Sequence, residues 1–585
     1  MKLIKPIYLI LVLFFLSLST AGFSQERYAI GMFHFNLQYV AGDYKIENRI
    51  IRESLYPALL FFEKNRKYKA NFEIQGYAIE VLSGEYPEVF KLFKKLVDRG
   101  QIELVIAHYS DQFFIAYPAL DLQKSIEISD KILEKYGMKR SRVFFGQEIQ
   151  WTPAYPSLLK DRYDLVVTSS QPHGYYRDPI LPLVNIAYGN DHILGLIDSE
   201  HQLDGLTWTY SFLDDGEVFN SLDYRSNFYR VPEQEKKNTD KFKRLEREGY
   251  KFVTMSELAE KIKNLKGYTA PAYPFVPEGT WNMSVCGPFM WMGRQRSGVE
   301  TDGITRALSY QLRGKLLMYQ RLVEYAARRG NNTAELDSLI ELSWRHLLLS
   351  EVSDASGWTP WLVEVQYTAN EVANANKELK EIEKRLLKML PFENKTWLVD
   401  TKSGNVQSIS PGEDTEPVES FFPIPFYVRA GVTTTSVKQL NEKLYQLDIN
   451  CKRPADGAVE IVFDTPPEGL YYSAGAGEQI AVEIPADLKN DPALALSNGF
   501  IYLNNGFSLV KDCTVEHLAA IWKMKEQKLV FREELAETTP YMNMRFYLLK
   551  GDKNTGLNFA NALNTWPSYK VNLKNGRLRF SQIIP

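Results

Sequence analysis

Two acidic side chains in this sequence stand in surroundings that suit catalysis. Glu148 lies in the segment FFGQEIQWTP, shortly after the apolar run Val143–Phe145, and Asp215 lies in FLDDGEVF, after the aromatic run WTYSFL. Hydrolysis of a glycoside with retention of configuration needs one ionised carboxylate and one protonated carboxyl, about 5 to 5.5 Å apart on the two faces of the sugar. The two segments therefore predict a nucleophile and a general acid/base.

The neighbours of each carboxyl indicate which role it takes. Asp215 is flanked by Asp214 and Glu217. Nearby like charge raises the pKa of a carboxyl and helps it to stay protonated, so we expect Asp215 to be the acid/base. Glu148, with Trp151 close by in the chain, is expected to be the nucleophile.

Both carboxyls must be held at the ends of strands. From Tyr28 to about Tyr268, short β-prone runs alternate with amphipathic stretches, which predicts an α/β domain with parallel strands. In one such unit a helical pattern fills Tyr86–Arg99, Gly100 ends it, and the strand QIELVIAHY follows. Catalytic residues of barrel enzymes lie at the carboxyl ends of such strands. Further predicted elements are helices at Leu122–Tyr136, Tyr155–Asp161 and Lys237–Glu248, and strands at Arg142–Phe145 and Asp164–Thr168.

The pattern changes twice in the second half of the chain. Residues 271–288 indicate an ordered loop, and three helical stretches follow, at Gly303–Arg329, Thr333–Leu349 and Trp361–Leu390. After Pro391, alternating strands and turns predict an antiparallel β-sandwich. The predicted domains are a signal peptide (1–24), a catalytic α/β barrel (25–270), a linker loop with a helical subdomain that completes the cleft (271–390) and the sandwich (391–585).

Composition narrows the class of partner. A formal net charge of -3 leaves no basic field to attract nucleic acid, and 13% aromatic residues suit stacking against sugars. The three cysteines, Cys286, Cys451 and Cys513, are too widely spaced and too few for a disulfide framework. We expect an oligo- or polysaccharide as the partner, and no nucleic acid. The oligomeric state is not indicated.

The first 24 residues have the pattern of a signal peptide. Lys2 and Lys5 precede the apolar run Ile7–Leu18, and small residues around Ala21 and Ser24 follow. The run is shorter than the roughly 20 residues of a permanent membrane anchor. We therefore expect cleavage and export to the periplasm or the extracellular space, with no membrane span in the mature chain.

Five segments, in order, resemble conserved regions of glycoside hydrolase family 57. Glu-x-x-Trp-x-Pro, beginning at Glu148, is similar to the family's nucleophile motif, and Asp-Gly-Glu-x-Phe, beginning at Asp215, is similar to its acid/base motif. Arg99–Phe114 is similar to the second conserved region, and Glu278–Gly293 resembles the loop that joins barrel to helical domain. Ser350–Trp358 is similar to a Ser-Asp-Trp segment that lines the cleft. The resemblance covers roughly residues 28–390.

The resemblance implies an incomplete (β/α)7 barrel followed by a helical subdomain, with retaining chemistry on α-linked glycosides and no metal or other cofactor. Carried over by position, it makes Glu148 the nucleophile and Asp215 the acid/base. Family members include α-amylases, 4-α-glucanotransferases, branching enzymes, amylopullulanases and α-galactosidases. The candidate substrate-binding residues are His34, Asn36, His108, Trp151, Glu217, Trp281, Trp291, Asp354 and Trp358.

The chain departs from the family pattern in its first motif. The usual His-x-His-Gln-Pro becomes HFNLQ from His34 onward, so Asn36 takes the place of the second histidine. Asn220 also replaces the glycine that usually follows Phe219. The reaction class is unaffected by these changes, but the sugar and the linkage stay open.

Two other functions fit parts of the sequence. A glycan-binding protein without turnover would keep the same cleft, although both candidate carboxyls are present. A polysaccharide deacetylase would need His or Asp pairs at metal-ligand spacing. Asp214 and Asp215 resemble its acidic pair, but no two of the seven histidines lie three to five positions apart, so we expect no metal site. Hydrolysis is preferred over transglycosylation because no feature of the sequence shows how water would be excluded.

Overall fold

The computed structural model describes residues 26–178, 182–197, 201–203, 205–221, 228–265, 269–281, 302–355, 360–393, 395–409, 417–466, 469–475 and 480–585. The proposed signal peptide and the residues Cys286, Trp291 and Trp358 lie outside these ranges. No helix within them is long and apolar enough to span a membrane.

The first half of the chain forms two mainly parallel sheets. Their strands are β1 (Glu26–Phe35), β2 (Ala70–Ile74), β3 (Ile102–Val105), β4 (Val143–Phe145), β5 (Leu165–Thr168), β6 (Leu183–Tyr188), β7 (Asp191–Ile197), β8 (His201–Leu203), β9 (Leu206–Asp215) and β10 (Lys251–Val253). The first sheet has the order β3-β2-β1-β9-β8, and β10 also pairs with β1. The second has the order β4-β5-β7-β6. In each sheet the parallel strands end on the same side, as a site at strand ends requires.

Helices connect these strands. They are α1 (Tyr44–Arg49), α2 (Tyr56–Lys64), α3 (Gly76–Glu85), α4 (Pro87–Asp98), α5 (Ala119–Lys135), α6 (Tyr155–Leu159), α7 (Ser170–Tyr176), α8 (Pro232–Arg247) and α9 (Met255–Lys263). In α4 the spacing of Val89, Phe93 and Leu96 puts all three on one buried face. Gly100, at φ +67°, then allows the left-handed turn into β3.

Three long helices follow the α/β region. They are α10 (Asp302–Arg328), α11 (Ala334–Leu349) and α12 (Leu362–Met389). One buried cluster joins them to the first sheet, and it includes Phe33, Phe72, Leu316, Trp344 and Leu379. Burying a side chain of this size stabilises the fold by about 1.5–3 kcal/mol. The helical region is therefore anchored on the sheet that carries β1 and β9.

The last third of the chain is antiparallel. Its elements are β11 (Thr396–Asp400), β12 (Val406–Ile409), β13 (Val418–Glu419), β14 (Phe426–Arg429), β15 (Thr433–Asn441), β16 (Leu444–Lys452), β17 (Ala458–Asp464), β18 (Tyr471–Tyr472), β19 (Val482–Glu483), β20 (Ala493–Leu494), β21 (Phe500–Tyr502), β22 (Phe507–Lys511), β23 (Ala520–Lys523), β24 (Lys528–Glu534), β25 (Tyr541–Lys550), α13 (Lys553–Ala560), β26 (Ser568–Lys574) and β27 (Arg577–Ile583). The eight-stranded sheet has the order β13-β15-β16-β25-β22-β21-β18-β19, and the five-stranded sheet has the order β14-β17-β24-β23-β20.

The two larger antiparallel sheets contact each other and the second parallel sheet. The rings of Phe463 on β17 and Phe546 on β25 have centroids 5.0 Å apart. Phe144 of β4 belongs to the same buried cluster. Cys451 and Cys513 are buried and free. The C-terminal region, called here the C-terminal sheets, thus packs beside the strand that leads to Glu148.

Most predicted elements have their counterparts. The helix predicted at Gly303–Arg329 spans Asp302–Arg328, and the strand at Asp164–Thr168 spans Leu165–Thr168. Three features were not predicted: the antiparallel excursion of β6 to β8, the helix α13, and a separate sheet of order β12-β11-β26-β27. The helix α13 has only eight residues of mixed polarity, KNTGLNFA, and so short a run shows no clear helical periodicity.

Candidate active site

The register of three neighbouring strands brings His34, Glu73 and Asp215 together. On β1, His34 is paired with Glu73 of β2 on one side and with Asp215 of β9 on the other. The strands are parallel, so all three residues lie close to the carboxyl ends. A histidine is therefore set between two acidic residues at the edge where a barrel enzyme would carry its site.

His34 is held between two buried carboxyls. Its Nδ1 lies 2.5 Å from Oε2 of Glu73, and its Nε2 lies 3.9 Å from Oδ2 of Asp111. Burial alone would lower the pKa of His34, but Glu73 and Asp111 raise it well above the ordinary value. The raised pKa favours the imidazolium form of His34, and the charge of that form lowers the pKa of both Asp215 and Glu148.

Glu148 follows β4 in a tight turn with an unusual backbone. It has φ 56° and ψ 20°, and Ile149 also has a positive φ of 43°. Left-handed backbone at a non-glycine residue costs about 1–3 kcal/mol and persists only where surrounding contacts impose it. The turn changes the direction of the Glu148 side chain after the short strand β4. We expect a functional carboxyl at such a strained position.

Two N–H donors hold the carboxyl of Glu148. The indole Nε1 of Trp281 donates to Oε2 at 2.5 Å, and the amide of Gln147 donates to Oε1 at 3.1 Å. Both bonds favour the ionised form. Trp281 is 43% exposed, so it also presents ring surface to solvent beside the carboxyl.

Both candidate catalytic carboxyls have raised pKa values, and the charge of Asp215 adds to the rise at Glu148. Burial, followed by the charge of Asp354, raises the pKa of Glu148 to about 8. Burial also raises the pKa of Asp215 to about 6, with His34 acting in the opposite direction. Asp214 and Asp354 add to the rise at Asp215. Both groups therefore titrate in the range in which acid/base catalysts work.

Asn36, which follows β1, contacts both Glu217 and the helical region. Its side-chain amide donates to Oδ2 of Asp354 at 3.1 Å, and its backbone N–H donates to Oε1 of Glu217 at 2.5 Å. Asp354 comes from the helical region, and the backbone N–H of Ser353 donates to the carbonyl of Asp111 at 2.8 Å. Asn36 stands where the family resemblance leads one to expect a second histidine. Its side chain therefore joins the first parallel sheet to the helical region.

Two predicted substrate-binding residues are placed differently from the expectation. Trp151 is only 1% exposed, and its indole donates to the carbonyl of Val276 at 3.0 Å. It is a core residue that supports the turn, and its ring offers no surface to a sugar. His108 is fully buried, stacks on Phe114, and burial lowers its pKa to about 3. It is a neutral packing residue and does not face the cleft.

Three residues of the site were missed by sequence reasoning. They are Glu73, Asp111 and Gln147, all fully or almost fully buried. The signal for Glu73 was a charged residue inside the strand ANFEI, which has no other charged side chain. Asp111 lies in the segment that resembles the second conserved region, but nothing in the sequence shows that it faces His34.

No group of three or more His, Cys, Asp or Glu side chains among the described residues is arranged to hold a metal ion. The site is instead a set of buried carboxyls around one imidazolium. Such a set can move a proton and can carry an ionised nucleophile next to a protonated acid.

Part of the chain is similar to a known protein family. Residues 48–188 match the model of Glycosyl hydrolase family 57. An alpha-amylase from Pyrococcus horikoshii is 27% identical over 116 residues, which is 20% of this chain and 18% of that protein. A 4-alpha-glucanotransferase from Thermococcus litoralis is 25% identical over 18% of this chain and 16% of its own length. The chain thus spans less than a fifth of the curated relatives it matches.

One solved structure is similar over nearly the whole chain. An alpha-mannosidase from Enterococcus faecalis superposes with a TM-score of 0.64 at 8% identity, covering 96% of this chain and 90% of that one. At this identity the likeness shows the fold alone. The family match contains β2 to β6 and with them Glu73, Asp111 and Glu148. That match, taken with the curated relatives, supports a relation of this part of the chain to glycosyl hydrolase family 57.

Proposed function

We propose that the protein is an exported retaining glycoside hydrolase that acts on α-linked oligo- or polysaccharides by double displacement. Glu148 is the nucleophile and Asp215 the general acid/base. The observation that carries the proposal is the pair of partly buried carboxyls with raised pKa values beside His34, one of them held by two N–H donors. We further propose that the two parallel sheets form an incomplete (β/α)7 barrel and the two large C-terminal sheets a β-sandwich.

In the first step the ionised carboxylate of Glu148 attacks the anomeric carbon while Asp215 gives its proton to the leaving oxygen. In the second step Asp215 takes a proton from water, which then attacks the glycosyl-enzyme ester and frees Glu148. Trp281 and Gln147 stabilise Glu148 as the leaving carboxylate of this second step. The positive charge of His34 lowers the cost of ionising either group.

In the unliganded site the proton is held by Glu148, whereas in the reactive form it is held by Asp215. Glu148 has the higher pKa of the two, whereas the first step needs an ionised Glu148 and a protonated Asp215. The glycosidic oxygen accepts a hydrogen bond from Asp215 when substrate binds. We expect this bond, together with the displacement of water, to favour the reactive form.

The substrate class rests on the curated relatives. The matched amylase and glucanotransferase favour an α-glucan, acted on by hydrolysis or by transfer to another sugar. Asn36 stands where the family resemblance leads one to expect a histidine, so other α-linked sugars belong on the test panel. α-Mannosides are included because a fold relative is an alpha-mannosidase.

The test is an anomer-resolved product assay by proton NMR on α-glucans and aryl α-glycosides. Retained configuration with the wild-type chain, and no product with Glu148→Gln, are expected. Glu63→Gln, a substitution of the same type at a surface ion pair, serves as the control. Inverted product, or full activity in Glu148→Gln, contradicts the mechanism. Sugar-dependent thermal stabilisation without product on any substrate favours a glycan-binding protein instead.

Azide rescue separates the two roles. With an activated α-glycoside, Glu148→Gly plus azide should give the β-glycosyl azide, because azide replaces the nucleophile on the opposite face. Asp215→Ala plus azide should give the α-glycosyl azide, because azide then attacks the intermediate on Glu148. Exchanged anomers in the two variants would show that the roles are reversed.

Export is proposed from the N-terminal pattern alone. Expression of the full chain in a bacterial host, followed by N-terminal sequencing of the product outside the cytoplasm, tests it. We expect a mature chain that begins near residue 25. An uncleaved chain retained in the cytoplasm contradicts the proposal.

A further inference from the structure

The segment that carries Trp281 runs alongside the turn that carries Glu148. Trp151 and Gly279 exchange two backbone hydrogen bonds, at 2.8 and 3.2 Å. The backbone N–H of Trp281 donates to the carbonyl of Glu148 at 3.3 Å, and its indole donates to the carboxyl at 2.5 Å. The position of residues 276–281, called here the donor segment, therefore sets the position of the hydrogen bond on the nucleophile.

Glu278 attaches the donor segment to the C-terminal sheets. Its side chain is 2% exposed, and Oε1 accepts a hydrogen bond of 2.6 Å from the backbone N–H of Gly475. Tyr472, at the end of β18, is a close neighbour: burial, and after it the charge of Glu278, raise its pKa. The ring of Tyr472 also meets that of Phe275, just before the donor segment, edge to face at 6.3 Å.

Gly475 also contacts the chain that follows the nucleophile turn. A Cβ atom at this position would lie 2.5 Å from Oγ1 of Thr152, so the two backbones approach as closely as they do because the residue is glycine. One residue of the C-terminal sheets thus touches both sides of the turn: Thr152 by packing and Glu278 by a hydrogen bond.

We infer that Glu278 is a positioning residue for catalysis, which uses the C-terminal sheets to hold the indole N–H of Trp281 against Glu148. The inference rests on the proposed function, because it assigns to the C-terminal sheets a part in that reaction. Glu278 acts through Trp281 and does not need to touch the sugar. A deletion of its carboxyl should therefore reproduce the loss of the Trp281 donor.

The kinetic test is a double-mutant cycle between Glu278→Ala and Trp281→Phe. Loss of a hydrogen bond to a charged group is worth about 1.5–3 kcal/mol, so each variant should lose roughly tenfold or more in kcat/KM. Each should also move the alkaline limb of the kcat/KM profile upward, because that limb follows the higher pKa of the pair, that of Glu148, and the bond from Trp281 lowers it. The double variant should be no worse than Trp281→Phe alone.

Glu278→Gln and Glu278→Asp refine the test. Burial raises the pKa of Glu278 to about 7, so the uncharged glutamine is close to a form that the site already accommodates. Glutamine keeps an oxygen acceptor for the N–H of Gly475 and should restore most of the activity. Aspartate keeps the charge but is too short for the same contact, and it should behave like alanine.

A readout that needs no substrate makes failure of the inference distinct from failure of the proposed function. The chain has ten tryptophans, which are replaced by 5-fluorotryptophan, and the fluorine signal of Trp281 is assigned from Trp281→Phe. That signal should shift with pH as Glu148 titrates. In Glu278→Ala it should move and lose this titration, whether or not any sugar is hydrolysed.

Asp178→Asn is the matched control, because it removes another ion pair between the α/β region and the C-terminal sheets, to Lys489 at 2.6 Å. It should leave the Trp281 signal and the pH profile unchanged. An unchanged Trp281 signal in Glu278→Ala, or additive losses in the double variant, overturns the inference. Equal effects of Asp178→Asn would also overturn it, since they would show general loosening of the contact between the two regions.

Discussion

His34 and Glu73 form a buried ion pair across β1 and β2, with Nδ1 and Oε2 2.5 Å apart. Asp215 pairs with His34 from the opposite strand, β9. The charge of Glu73 therefore acts on Asp215, the proposed acid/base, through the histidine between them. A hydrogen-bonded ion pair in such an enclosed position is strongly coupled, and removal of one partner leaves the other without compensation.

We predict that Glu73→Gln moves the pH profile of kcat/KM to higher pH. Without the carboxylate of Glu73, Asp111 and Asp215 alone oppose the effect of burial, so the pKa of His34 falls and the ring loses its proton more readily. The neutral ring no longer lowers the pKa of Glu148 or Asp215, so both rise. At pH 7 we expect a loss in kcat/KM of about tenfold to a hundredfold, measured with an aryl α-glycoside.

The control for this prediction is Glu63→Gln, which neutralises a glutamate of a surface ion pair. It should leave both limbs of the profile in place. A Glu73→Gln variant that loses activity equally at every pH would show that Glu73 supports the fold and does not set the charge of His34.

The positions of the two candidate carboxyls at strand ends could be predicted because both lie in distinctive local frames. Glu148 follows β4, Asp215 ends β9, and both side chains are partly buried. Trp151 was misjudged because its place in the motif says nothing of its direction; the tight turn sends Glu148 outward and Trp151 into the core. Periodicity cannot report such a reversal, since it depends on two residues with positive φ.

The contacts around the pair depend on register and on distant chain segments. Glu73 reaches His34 only because β1 and β2 align these two residues, and register between parallel strands is not visible in either strand alone. Trp281 was a candidate substrate-binding residue, and its indole N–H donates to Glu148, which the sequence did not indicate. The two are joined by a loop pairing that no local pattern indicates.

Asn36→Asp is predicted to reduce activity strongly. The substitution replaces the N–H donor to Asp354 with a third carboxylate, next to Asp354 and Glu217. Like charges at this distance raise the pKa values of all the groups involved and open the contact between β1 and the helical region. We expect kcat/KM at pH 7 to fall by about a hundredfold or more.

The same exchange at Asn48, an exposed residue whose side chain accepts a hydrogen bond from Arg52, is the matched control and should be nearly neutral. Asn36→Ser, which adds no charge, should retain more activity than Asn36→Asp. If the two Asn36 variants are equally impaired, the added charge is not the cause.

Asp354→Asn should move the pH profile in the opposite direction from Glu73→Gln. After burial, the charge of Asp354 is the largest cause of the raised pKa of Glu148, and it also raises the pKa of Asp215. Without that charge both values fall, so the whole bell moves to lower pH. The measurement is kcat/KM against pH; an unshifted or upward-shifted bell contradicts the electrostatic account, whatever the loss at the maximum.

Relative to wild type, Glu148→Gln should raise the free energy of unfolding at pH 8 and change it little at pH 5. The folded-state pKa of Glu148 is raised to about 8, so its stabilising contribution is complete below the unfolded-state value near 4.5. That contribution is lost as pH rises through the folded-state value. A glutamine removes this loss, with a gain on the order of a few kcal/mol at pH 8 and close to none at pH 5.

The control is Glu63→Gln, which should show the opposite and weaker trend, since Lys95 lowers the pKa of Glu63. Urea unfolding of the three proteins at both pH values measures the difference, and an equal effect of Glu148→Gln at the two values would mean that Glu148 is not held under electrostatic strain.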